Sequence, residues 1–130
     1  MFARRDKRLD IMSDLKLYIA VLDEVPDFIV PTLVAHTVLN AHINFSMLNE
    51  HMIPNQHRLY DVWLNASFKK CVIRVNRKEF AKIAAIPNTY LGHENKTLGG
   101  EKSCAIPVPV YNDDLPNVLK FAKLWAPLGA

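Results

Sequence analysis

The segment Lys16-Leu-Tyr-Ile-Ala-Val-Leu22 places the tightest constraint on the fold. It is an unbroken apolar run rich in β-formers, with no polar alternation, so it reads as a central strand covered on both faces. Such a strand needs a layer on each side, which restricts the chain to sheet-and-helix architectures. Asp23-Glu-Val-Pro-Asp27 follows as an acidic, proline-bearing loop, and Pro31 favours a helix start. From there Val34, Val38, Ala41 and Phe45 recur at helical spacing, flanked by Leu33 and Leu39, which predicts the apolar face of a helix. Thr32, His36, Asn40 and Asn44 are each four apart and line up as a polar ridge.

Residues 46–67 show no clean period, although Leu59, Val62 and Trp63 predict a short helix over 59–64. Residues 68–75 predict the second strand. Asn76 and Glu79 form a capping box for the next helix, whose buried face is Phe80, Ile83 and Ala84 and which Pro87 ends. Residues 89–91 read as a short strand and 104–110 as a longer one, at an edge or irregular because Pro107 and Pro109 cannot donate to a ladder. Asp113-Asp114 caps a final helix that runs to Leu124 or Trp125. The order predicts a single three-layer α/β domain over residues 14–130, with a mixed four-stranded sheet and flanking helices.

Half of the 130 residues are hydrophobic and 22% are charged, a composition that folds and does not stay disordered. The net charge of +3 is concentrated at the start of the chain. Arg4, Arg5, Lys7 and Arg8 against Asp6 and Asp10 supply +2 of it, which predicts a disordered basic tail over residues 1–13. No uninterrupted apolar run reaches membrane-span length and the signal-peptide pattern is missing, so the expectation is a cytoplasmic protein with no membrane partner. Cys71 and Cys104 lie in apolar strand-like runs and are expected as free, buried thiols.

The chemistry-bearing residues gather between Tyr90 and Ile106, where two strand ends flank a polar loop with a Gly99-Gly100 turn. A Cys–His pair would arise there if His93 faced Cys104 across the hairpin; otherwise Cys104 is core packing. The five histidines lack ligand spacing and the glycines make no phosphate loop, so neither metal nor cofactor is expected. Lys69 and Lys70, with Lys102 from the hairpin, are the candidate RNA-phosphate contacts, while Arg77, Lys78 and Lys82 read as a solvated helix face. Aromatic residues interleaved for base stacking are not evident in the sequence. A homodimer through the Met47/Met52 segment and the strand edge at Pro107 and Pro109 is a further partner expectation.

The element order and the segment His93-Glu94-Asn95-Lys96-Thr97 followed by Ser103 resemble type 2 peptidyl-tRNA hydrolases and the superfamily sharing their small α/β fold. The family's hairpin pattern is D-A-G-R-T-x-x-x-x-G-S. Lys96, Thr97 and Ser103 fit it, whereas His93 occupies the place of the catalytic aspartate, with Glu94 next to it. Trp63 is similar to a family tryptophan before the second strand, and residues 114–124 to its closing helix. Val30-Pro31 stands where the family opens its first helix with Gly-Lys, and His36 and Asn40 lie near its helix glutamine and histidine. The resemblance implies a cleft lined by Asp23, Glu24, His36, Asn40 and Ser103. Within it Glu94 or His93 would be the general base, Lys96 the phosphate or oxyanion contact, and Thr97 the water-positioning hydroxyl. With the lysine and the aspartate both changed, it implies a divergent member whose esterase activity is weakened or lost and which binds tRNA, another RNA or another partner. A hydrolase with a rearranged site and a non-catalytic interaction module are the alternatives.

Overall fold

The computed structural model describes residues 14–47, 54–94 and 98–129. At its centre lies β1 (Lys16–Leu22), with β2 (Lys69–Val75) parallel on one side and β4 (Cys104–Ile106) antiparallel on the other. Antiparallel β3 (Tyr90–Gly92) extends the sheet beyond β4, and antiparallel β5 (Lys123–Leu124) beyond β2, giving five strands in the order β3-β4-β1-β2-β5. β1 holds the central place because six of its seven residues are buried. Leu17, Ile19 and Val21 enter the core on one face, and Tyr18 and Ala20 enter the core on the other.

Four α-helices cover the two faces. On the first face α1 (Val30–Met47) and α2 (Pro54–Val62) supply Val30, Leu33, Phe45 and Tyr60. On the second, α3 (Arg77–Ala84) and α4 (Asn117–Lys120) supply Ile83 and Leu119. The capping box of α3 is formed in full: Asn76 accepts from the Glu79 N–H at 2.8 Å, and Glu79 accepts from the Asn76 N–H at 2.9 Å. The stretch Asp27–Ser46 is apolar and long enough to cross a membrane by length and composition. Uninterrupted runs do not reveal this, and here one face of the helix lies on the sheet.

Four sequence expectations are corrected. The sheet has five strands, not four, because the chain after Ala122 leaves the helical path and pairs Lys123 and Leu124 with Arg74 and Ile73. The final helix is accordingly only four residues long, ending at Lys120. The strand from Cys104 stops at Ile106, since Pro107 and Pro109 have no N–H for a ladder; both prolines are fully buried. Val110 then bridges back to Lys16. Finally, the helix expected at 59–64 is α2 followed by a π-helical turn, Trp63–Ser67. Its packing comes from an aromatic chain, Phe45–Tyr60–Trp63–Phe68, with centroid spacings of 4.9, 5.5 and 5.3 Å, which no period reveals. The proposed tail, residues 1–13, and Met52 lie outside the described residues.

Helix α1 is also rotated from its expected seating. The residues pressed hardest on the sheet are Leu33, Thr37, Ala41 and Phe45, while Leu39 is 67% exposed. Thr37 buries its hydroxyl by donating to the Leu33 carbonyl at 2.7 Å, which satisfies a group that would otherwise resist burial.

Candidate functional site

Register fixes which residues meet at the C-terminal end of β1. Ala20 and Val21 pair with Ala105 and Cys104, and Gly92 pairs with Cys104, so Asp23, Glu24, His93, Glu94, Lys102 and Ser103 all fall at one end of the sheet. The hairpin is tied by the Ser103 N–H to the Gly92 carbonyl at 2.9 Å and the Leu22 N–H to the Ser103 carbonyl at 3.0 Å. Helix α1 comes down on this hairpin through Thr37. A Cβ on Gly92 would lie 2.6 Å from the Thr37 Cγ2, so only glycine allows the helix this close. His36 and Asn40 flank that contact on the exposed side of the helix and bond to each other at 3.1 Å.

His93 meets Lys102 and not Cys104. The Lys102 Nζ lies 3.1 Å from the His93 Nδ1, and an ammonium has only protons to give, so Nδ1 accepts and the ring proton resides on Nε2. Cys104 points the other way, into the core. Its thiol is fully buried and its pKa is pushed up to about 12 by burial, with the Thr37 hydroxyl working in the opposite direction. A Cys–His nucleophilic pair is therefore not formed. Cys71 on β2 is separated from Cys104 on β4 by the whole of β1, and both are free.

Arg77, read from sequence as solvated, is the hub of the other half of this end. Its guanidinium donates to Glu101 at 2.7 and 3.2 Å and to Glu24 at 3.2 Å. This clamp ties the loop after β1 and the segment before β4 to the N-terminus of α3. The same contacts hold the Glu101 carboxyl below its ordinary pKa and raise that of Arg77. Beside the clamp, Leu22, Arg77, Phe80, Ala81, Glu101 and Lys102 line a hollow of about 310 Å3. Ser103 is buried next to it. Lys96 and Thr97 lie outside the described residues.

The three candidate RNA lysines do not converge. Lys69 and Lys70 open β2 beside Lys16 and Leu17, while Lys102 sits past the far end of β1, about 20 Å away at roughly 3.3 Å per strand residue. Among the described residues at the hairpin end, the carboxylates of Asp23, Glu24, Glu94 and Glu101 outnumber the cations Arg77, Lys78 and Lys102. At the opposite rim, Lys16, Lys69 and Lys70 line a hollow of about 360 Å3 with Asp14 and Asn112. Sequence reasoning missed both the Arg77 clamp and the Thr37–Gly92 contact, because their partners are far apart in the chain.

No protein-family model matches this chain, and no curated protein matches it by sequence.

Proposed function

We propose that this chain is a divergent member of the type 2 peptidyl-tRNA hydrolase-like superfamily that binds tRNA or another RNA, with hydrolysis weakened or lost. The observation that carries the reading is the His93–Lys102 pair at the mouth of the hairpin. It occupies the position where the resemblance puts the family's catalytic acid, and the order of strands and helices before the fifth strand supports the reading. In this pairing His93 is a poor general base. Its Nδ1 lone pair is taken by Lys102, and its Nε2 bears the proton and can only donate. Base chemistry would fall to Glu94, with Lys96 and Thr97 as its partners in the same loop.

The test is release of peptide from a peptidyl-tRNA by the purified protein, beside a direct measurement of tRNA binding. The expected result is salt-sensitive binding without turnover. Turnover abolished by Glu94→Ala and by Lys96→Ala would establish instead a hydrolase with a rearranged site, and absence of both binding and turnover would overturn the proposal.

A further inference from the structure

We infer that the rim where β1 and β2 begin is a phosphate-binding site for single-stranded RNA, with Phe68 as the surface against which a base lies. The inference rests on the RNA-binding reading above and names the surface that would carry it, at the opposite end of the sheet from the hairpin.

Two independent observations converge there. The first is charge. Lys16, Lys69 and Lys70 line one open hollow, Lys16 and Lys69 as register partners on adjacent parallel strands. Asp14 is the carboxylate in its lining, and Asn112 adds an amide; Asp113 and Asp114 follow Asn112 in the chain. A phosphodiester entering this hollow would meet these cationic side chains and release counterions.

The second is an aromatic side chain kept exposed in an unfavourable backbone conformation. Phe68 has φ 59° and ψ 9°, the left-handed region that a bulky residue seldom adopts, and its side chain is 54% exposed. Such a conformation ends the π-helical turn and persists where the surroundings over-determine it. Here the surroundings are specific. The Phe68 N–H closes the π-turn on the Trp63 carbonyl at 2.7 Å, and the Trp63 indole donates to the Lys69 carbonyl at 2.6 Å. The Ser67 hydroxyl is anchored on the Leu15 carbonyl. Lys70 donates to the Phe68 carbonyl at 2.8 Å, and its Nζ lies 3.4 Å from the ring centroid. The loop thus presents an aromatic ring and ammonium groups together on a rigid support, which is the pairing that single-stranded nucleic acid sites use. A base would displace the flexible Lys70 tip from the ring and leave its ammonium for the neighbouring phosphate.

The experiment is fluorescence anisotropy with a labelled 12-nucleotide uridine RNA and, separately, a duplex of the same length, across a salt series. The variants are Lys69→Ala/Lys70→Ala, Lys69→Arg/Lys70→Arg, Phe68→Gly and, at the other end, His93→Ala/Lys102→Ala. The double alanine variant should weaken single-strand binding about tenfold or more and reduce the salt slope by about two, and the double arginine variant should restore both. Phe68→Gly, which relaxes the backbone and so folds, should weaken the single strand about fivefold or more and leave duplex binding unchanged. Wild-type protein that binds the RNA, with affinity untouched by the lysine variants and lost in His93→Ala/Lys102→Ala, would overturn this inference and leave the RNA-binding reading standing. Wild-type protein that binds no RNA would overturn both.

Discussion

A methyl group added at Gly92 has no room, because the Thr37 side chain already fills the space. Gly92→Ala should therefore cost about 1–3 kcal/mol of stability, measured by urea denaturation. Thr37→Ala removes both the Oγ1 and the Cγ2 that crowd the added methyl, so the double variant should lose less than the two single losses added. Cys104 gives a second residue-scale prediction. Its folded-state pKa of about 12 lies above the ordinary thiol value of about 8.5, so its contribution to stability is complete below pH 8.5 and falls as the pH rises toward 12. Alkylation followed by mass spectrometry at pH 8 should leave Cys104 unlabelled until the protein unfolds; rapid labelling of the native protein would contradict its placement in the core. At this scale legibility tracks sequence distance. The Asn76–Glu79 capping box could be read because its two halves lie three residues apart. The clamp of Arg77 on Glu24 and Glu101 could not, since its partners are 53 and 24 residues away.

Among the elements, β1 and α3 follow the sequence reading because a continuous apolar run and a capping box decide them locally, whereas the C-terminal segment does not. Residues 115–125 carry helical spacing, but the hydrogen-bonding edge of β2 competes for them and takes Lys123 and Leu124. Beyond β5 the Trp125 N–H donates to the Val72 carbonyl and Arg74 to the Ala126 carbonyl, and the last described residues are held by one carboxylate: Asp27 accepts from the Leu128 N–H at 2.6 Å, the Gly129 N–H at 3.4 Å and Arg74 at 3.4 Å. The guanidinium of Arg74 also lies 5.3 Å from the Trp125 ring centroid. Where this C-terminal strap meets β2, two buried donors have no hydrogen-bond partner, the Arg74 Nη1 on the strand and the Trp125 Nε1 on the strap, so the contact between them is incompletely satisfied. Desolvation pushes the Asp27 carboxyl up, but the two backbone N–H groups and Arg74 outweigh it and hold its pKa below the ordinary value. A carboxyl so shifted stabilises the fold above its unfolded pKa of about 3.9 and loses that contribution as the pH falls through the lower folded value. Asp27→Asn should speed amide exchange at Leu128 and Gly129 at neutral pH without changing β1. Wild-type protein should approach that behaviour only in acid, below about pH 4. Unchanged exchange in the variant would show that Asp27 does not hold the strap.

For the molecule as a whole, the arrangement of edges decides whether it stays separate from other copies of itself. Among the described residues the sheet ends in β3, three residues long, on one side and in β5, two residues long, on the other, so neither of these edges offers a long ladder. The seven-residue β2 is the strand that β5 and the Trp125 N–H, which donates to the Val72 carbonyl at 2.9 Å, keep from becoming an edge. Ending the chain at Ala122 would expose that ladder, with half-buried Val72 and Cys71 along it. Light scattering over a concentration series should then show the truncated protein associating where the full chain does not, with association growing as the concentration rises. Equal masses for the two at every concentration would mean that the strap contributes packing but no protection. The α/β class and the central strand are legible from the periods of the sequence, since they depend on which faces must be covered. The fifth strand, the separation of the two lysine groups by the length of the sheet and the exposed ring at Phe68 depend on register between distant segments, which periods within one segment do not encode.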